Sequence, residues 1–271
     1  MVMSKKLRLL ILGLSLCLCT GCAVNPVTGE TQFNIFGPDP RNDIPLGRQW
    51  APQIEKEFGG VVEDVGLQNY VDSVGQNIAE ISHTPDLEWH FRVLKHDSVN
   101  AFALPGGYVY ITTGMLKKLN SEAQLAGVFA HESVHVTARH SAVRMSEQIG
   151  LGILLSAVMP EDTPRGVIQA TSIVRQIVSL KYSRDDERQA DDVGLDYMIW
   201  AGYNPYATVE VMQMLEKENK VRPVEFLSSH PAPQNRIEYM KQKIQESYYN
   251  LEELKTGKED YHRSVLEKLD N

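Results

Sequence analysis

Fourteen residues, "GVFAHESVHVTARH" (127–140), hold three histidines and a glutamate in a stretch that otherwise has the composition of an ordinary helix. His131 and His135 are four apart. On a helix that spacing puts both imidazoles on one face, with roughly 5–6 Å between Cβ atoms, so they can converge on one ion with Zn–N bonds of about 2.0–2.1 Å. Glu132 then stands beside the ion without binding it, placed to take a proton from a zinc-bound water and return it to the leaving amine. The flanking residues predict the helix. Ser121 and Gln124 have the spacing of a capping box, and Leu125, Val128, Phe129, Glu132 and Val136 recur at helical steps with no Pro or Gly after Gly127. His140 is expected to pack or hydrogen-bond behind this helix.

A catalytic zinc needs a third protein ligand. The extended motif with a third histidine would put Gly at 138 and His at 141, where the chain has Ala138 and Ser141, so that class is excluded. A glutamate from a second helix is the other solution. "YSRDDERQADDVGLDYMIWAG" (182–202) offers Glu187 and Asp191 one turn apart, Ala190 and Gly194 for close packing, and Gly202 with Asn204-Pro205 as stop signals. In this reading Glu187 binds zinc and Asp191 accepts the other N–H of a liganding histidine, fixing its tautomer. The competing reading is a solvated acidic face that also includes Asp185, Asp186 and Asp192.

At "NAFALPGGYVYITTGML" (100–116), "HESVHVTARH" (131–140), "SRDDERQAD" (183–191) and "SSHPAPQNR" (228–236) the chain resembles the gluzincin metallopeptidases of family forty-eight, which include the HtpX heat-shock protease, the mitochondrial Oma protease and the CaaX-converting zinc proteases. The resemblance spans residues 65 to 240. It implies one zinc per chain on His131, His135 and Glu187, a catalytic base at Glu132, and Asp191 supporting the ligands from behind. It also implies a mainly helical α+β fold whose small sheet borders the zinc cleft with an exposed edge strand.

That strand is expected near Ala101, where the chain alternates and then turns at Pro105-Gly106-Gly107. Asn100 and Ala101 would flank an extended peptide held by main-chain hydrogen bonds. His230 and Arg236 lie where the family has a His-Pro followed by an Arg. His230 would donate a hydrogen bond to the oxyanion, or instead occupy the water position as a fourth zinc ligand and hold the enzyme idle. Arg236 would position groups or neutralise charge. Before the sheet, Leu67, Tyr70, Val71, Val74, Ile78 and Ile81 mark an amphipathic helix, and "EWHFRVL" (88–94) a strand.

The N-terminus points to the cell envelope. Lys5, Lys6 and Arg8 precede an apolar run ending in "CTGC" (19–22), a secretory leader with a lipobox that would be cut before Cys22 and leave that cysteine acylated. Residues 1–21 are then the signal peptide, 22–45 a Pro-, Gly- and Asn-rich linker or a segment draped over the domain, and 46–271 one metallopeptidase domain. Cleavage leaves one cysteine of three, so no disulfide framework is expected. Ala23 resembles an outer-membrane sorting signal for a Gram-negative lipoprotein facing the periplasm. The formal charge falls from −8 to −11 without the leader's three basic residues, which argues against a nucleic-acid partner.

"IGLGILLSAVM" (149–159) reaches about 16 Å as a helix, about half a hydrocarbon core, so it cannot cross a membrane. With "PRGVIQATSIVRQIVSL" (164–180) it is expected to form a lid over the cleft or an ordinary core helix. The whole reads as a lipid-anchored zinc endopeptidase of the envelope acting on misfolded or unassembled proteins. The alternative is a chaperone-like or scaffolding lipoprotein that binds exposed strands and rarely cuts. A purely structural zinc site fits less well, because three ligands leave a position open and Glu132 would have no structural purpose.

Overall fold

Ser121 opens the helix that the histidine spacing requires. Its Oγ accepts the Gln124 N–H at 3.2 Å, whereas the Gln124 side chain reaches past the expected reciprocal partner to the Asn120 N–H at 2.8 Å. The computed structural model describes residues 22–158, 181–231 and 235–270. In chain order, β1 (Cys22–Val24) and β2 (Thr31–Phe33) form an antiparallel ribbon. Then come α1 (Ile44–Glu57) and α2 (Val65–Glu80), followed by β3 (His90–Leu94), β4 (Ala101–Leu104) and β5 (Tyr108–Thr112). The one-turn α3 (Thr113–Leu116) precedes α4 (Glu122–Thr137), α5 (His140–Val158) and α6 (Arg184–Trp200). The described chain finishes with α7 (Tyr206–Asn219), α8 (Glu225–Ser229), α9 (Arg236–Ser247) and short helical turns to Leu269. The fold is α+β and mainly helical, as expected.

The strand order is β3-β5-β4, with β5 parallel to β3 and antiparallel to β4. Gly106 and Gly107 turn β4 into β5 at φ of +84° and +97°, a region in which a side chain would be strained. β4 is the edge strand that the sequence anticipates, and no other described strand pairs with its outer side. All four of its residues are buried, however, so its side chains are not presented to solvent. α4 and α1 both pack on it.

α2 forms because Asp64 caps it, accepting the Leu67 N–H at 2.8 Å, and because Leu67, Val71, Val74 and Ile78 line one buried stripe. At Gly75 a Cβ would lie 2.1 Å from the Phe91 ring, so the helix can approach β3 only where there is no side chain. Every residue of α4 is buried. It is the central rod of the molecule, with α2, α6, α7 and β4 around it. Residues from the C-terminal turns pin its first turn: the Glu122 and Ala123 N–H groups donate to Gly257 and Thr256 carbonyls. The Glu122 carboxylate is held by the Tyr70 and Tyr203 hydroxyls and by Lys255.

Residues 22–43 lie across the junction between α4 and α5. Arg139, at φ +63° and only 1% exposed, pairs bidentately with Asp43 at 2.6 and 2.7 Å and also donates to the Gly37 and Pro38 carbonyls. Gln32 donates to the Ala138 carbonyl, and the Ile35 N–H to Ser146. Of the expected lid, 149–158 forms the distal part of α5, while 159–180 lies outside the described residues, as does the leader 1–21. No helix among the described residues is long and apolar enough to cross a membrane.

Candidate metal centre

The acidic helix that carries Glu187 begins with a capping box that reading the sequence does not single out. Ser183 and Asp186 form a reciprocal capping box, which starts α6 one residue later and sets Glu187 and Asp191 on the face turned to α4. Gly194 faces the backbone of Ala130 and His131, where a Cβ would sit in ordinary contact at 3.4–3.5 Å. Gly202, at φ +81°, follows the helix end.

Four side chains then meet in one buried spot. His131 Nε2 is 3.1 Å from His135 Nε2 and 3.3 Å from His230 Nδ1. Glu187 Oε1 lies 2.9 Å from His230 Nδ1 and 3.4 Å from His135 Nε2, and its Oε2 lies 3.5 Å from His131 Nε2. A tetrahedral ion with bonds of about 2.0–2.1 Å requires donor atoms roughly 3.3 Å apart, and the five separations just given run from 2.9 to 3.5 Å. The structure adds His230 to the three expected residues: one candidate ligand atom from each of the four lies within 4.8 Å of the others.

Polar atoms without partners point to the same group. Both oxygens of Glu132, Glu187 Oε2 and His230 Nε2 are buried without a hydrogen bond, a cost that native proteins accept where a bound species completes the shell. Charge agrees as well. Glu132, Glu187 and Asp191 face a single guanidinium, Arg236, and a dication would bring the group to neutrality. Three imidazoles and a carboxylate are the donor set that zinc prefers.

Asp191 supports the ligands from behind. Its Oδ1 is 3.1 Å from His131 Nδ1. Arg236 donates to both its oxygens, at 2.7 Å from Nε and 2.5 Å from Nη2, and the Tyr239 hydroxyl donates to Oδ2. Arg236 Nη1 sits 3.2 Å from Glu187 Oε2, so this residue bridges the ligand carboxylate and the supporting one. The sequence offers positioning or charge neutralisation for Arg236, and its contacts with both carboxylates are compatible with either.

Glu132 is fully buried, and the nearest charged-capable group is His230 Nε2 at 3.5 Å from Oε1. Burial pushes its carboxyl above the usual range. The two histidines of α4 differ. Burial alone would lower His131, but hydrogen bonds to Asp191 and Glu187 push it up to about 9, whereas burial dominates at His135 and holds it well below the imidazole range. In the metal-free protein His131 should therefore hold a proton up to about pH 9, one that a metal has to displace. Zinc uptake at pH 7.5 should release about one proton per chain, and affinity should drop about tenfold for each pH unit below 9. Calorimetric titration in buffers of different ionisation heat gives the proton count. An affinity constant between about pH 7 and 9 would contradict this account.

Asn100 and Ala101 stand at the entrance of β4, both buried, and no described contact joins them to the cluster. They connect to it indirectly. The neighbouring Val99 carbonyl accepts the Phe226 N–H at 3.2 Å, and the Phe226 ring stacks on His230 at 4.4 Å between centroids, with 13° between planes. Tyr182 stacks on His135 from the other side at 3.8 Å and donates or accepts with Ser141 at 2.7 Å. Reading the sequence does not single out Tyr182 or Phe226. Both are ordinary apolar positions by pattern, and only their adjacency to the capping Ser183 and to His230 hints at a role.

Comparison with known proteins agrees with this geometry. The profile of peptidase family M48 matches residues 66–244. The beta-barrel assembly-enhancing protease of Escherichia coli K12 is 28% identical over 206 residues, covering 72% of this chain and 42% of that protein. The mitochondrial metalloendopeptidase OMA1 of Schizosaccharomyces pombe is 29% identical over 235 residues, covering 84% of this chain and 68% of that protein. The OMA1 protein of Arabidopsis thaliana is 28% identical over 217 residues, covering 79% and 41%. The chain thus spans about two fifths of the length of the assembly-enhancing proteases it matches. With the profile covering most of the chain and the zinc-type donor cluster lying inside the matched span, this protein belongs to peptidase family M48.

Proposed function

We propose that the protein is a zinc-dependent endopeptidase, tethered by an acylated Cys22 to the periplasmic face of the outer membrane, that hydrolyses misfolded or unassembled envelope proteins. The carrying observation is the convergence of His131, His135, Glu187 and His230 on one point beside an unpartnered Glu132. The names of the relatives support the activity: one is a protease that enhances β-barrel assembly, another a metalloendopeptidase. The lipobox supports the tether.

Zinc held there would polarise the scissile carbonyl and acidify water. Glu132 takes the proton from the attacking water and delivers it to the amine nitrogen as the peptide bond breaks. Its burial-raised affinity for protons suits a base that must hold the proton and then release it near neutrality. Asp191 holds the His131 ring in orientation, and Arg236 offsets the carboxylates.

In this reading His230 holds the enzyme idle at rest. Its Nδ1, 2.9 Å from Glu187 Oε1, would be a further ligand to a bound zinc, and a ring that swung away would leave that place to water and bring its Nε2, now 3.5 Å from Glu132 Oε1, to donate to the developing oxyanion. Both roles open to His230 from the sequence then belong to one residue in two positions. Purified protein should lose peptide cleavage on chelation and regain it with zinc. His230→Ala separates the roles: release of a block raises cleavage of an unfolded protein in the zinc-loaded enzyme, whereas loss of the oxyanion donor alone lowers it about 10²–10³-fold. A zinc-loaded wild-type protein that cleaves no unfolded substrate, paired with a His230→Ala variant equally inert, would defeat the proposal.

A further inference from the structure

His135 is the zinc ligand with no carboxylate behind it. Its Nδ1 faces His140 Nδ1 at 2.9 Å, and His140 Nε2 faces Gln189 Oε1 at 2.8 Å. The same oxygen accepts from Asn25 Nδ2 at 3.3 Å, and Asn25 Oδ1 accepts the Val27 and Thr28 N–H groups at 2.9 and 3.4 Å. Asn25, His140 and His135 are 7%, 4% and 0% exposed, so water has little access to these bonds.

The direction of each bond follows from the one before it. Backbone N–H groups of the turn after β1 can only donate, so the Asn25 amide must present its oxygen to them and its nitrogen to Gln189. Gln189 Oε1 can only accept, which places a proton on His140 Nε2. A neutral His140 then has a bare Nδ1, and the sole arrangement that bonds it to His135 puts the shared proton on His135 Nδ1. That leaves His135 Nε2 bare and aimed at His131 Nε2, as a metal ligand must be.

We infer that His140 and Gln189 are positioning residues that fix the tautomer of His135, and that the N-terminal ribbon, through Asn25, orients this relay. The inference rests on the zinc reading above and deepens it: the segment that follows the tethered Cys22 is part of the support of the metal site. The ribbon's other bonds to the α4–α5 junction, from Gln32 to Ala138 and from Asp43 to Arg139, hold it in place without entering the relay.

The test uses the full chain, with zinc affinity measured by chelator competition and the His135 tautomer read from imidazole ¹⁵N shifts in the metal-free protein. His140→Phe and Gln189→Met should each weaken zinc binding about 10–100-fold and mix the His135 tautomers, and Asn25→Ala should do so several-fold. His140→Gln, which restores an acceptor, should recover part of the loss, and Gln32→Ala should change neither readout. Should His140→Phe not fold, Asn25→Ala and Gln189→Met carry the comparison. Unchanged affinity in these variants, or a wild-type His135 protonated at Nε2, overturns the inference. A wild-type protein with the stated tautomer and no affinity for zinc would instead overturn the zinc reading.

Discussion

Glu132→Gln is expected to lower kcat/KM on an unfolded protein substrate by about 10²–10⁴-fold while zinc content stays at the wild-type level. Gln keeps the shape of the side chain and takes away its ability to accept a proton. Nothing in the ligand set changes, because neither Glu132 oxygen bonds any of the four converging residues. Folding should not suffer either. A carboxylate with no hydrogen bond in a fully buried position is costly, so a neutral amide there should leave the stability of the metal-free protein unchanged or raised. The paired measurement of activity, zinc content and unfolding midpoint therefore isolates the chemical step. It also decides between cleavage and strand binding. A Glu132→Gln variant that still fulfils the biological role unaided would favour the chaperone-like alternative.

Arg236→Met should act in the opposite way, on the fold before the chemistry. The guanidinium is 2% exposed and is the partner of both Asp191 and Glu187. Removing one member of such a buried pair leaves charge uncompensated and typically costs about 3–5 kcal/mol. In urea with a chelator present, the variant should unfold far earlier than wild type. Zinc should recover much of the difference, because a dication offsets the same carboxylates. Were Arg236 instead a group that works only on substrate, chelated wild type and variant would unfold together and only turnover would fall.

Much of the site can be read from residue types because its local rules are short-range. The His131–His135 interval, the Glu187–Asp191 interval and the Ser121 cap each depend on one helix, and each helix forms where the pattern places it. The turn at Pro105-Gly106-Gly107 also needs only its own residues. What the sequence cannot supply is the relation between segments far apart. His230 follows α8, 43 residues beyond Glu187, and its approach to the other three residues comes from packing, including the Phe226 ring stacked on it. The edge strand lies where it is expected, but burial of its side chains comes from α1 and α4 packing on it, which no alternation of residue types records. Residues 22–45 are expected from sequence to be a linker or a draped segment, and the helix α1 already begins at Ile44. Their attachment through Arg139 is not readable, because an arginine is an ordinary surface residue until its carboxylate partner, 96 positions away, is known.

α4 has no face turned to water. A helix of that kind has no soft side from which to fray, and unravelling even one turn would open the interior of the whole molecule. Its amide protons should therefore exchange with solvent only at the pace of global unfolding. Any breathing that opens the site must then come from hinged or sliding pieces around a stationary spindle, with His131, Glu132 and His135 held in place while their surroundings part.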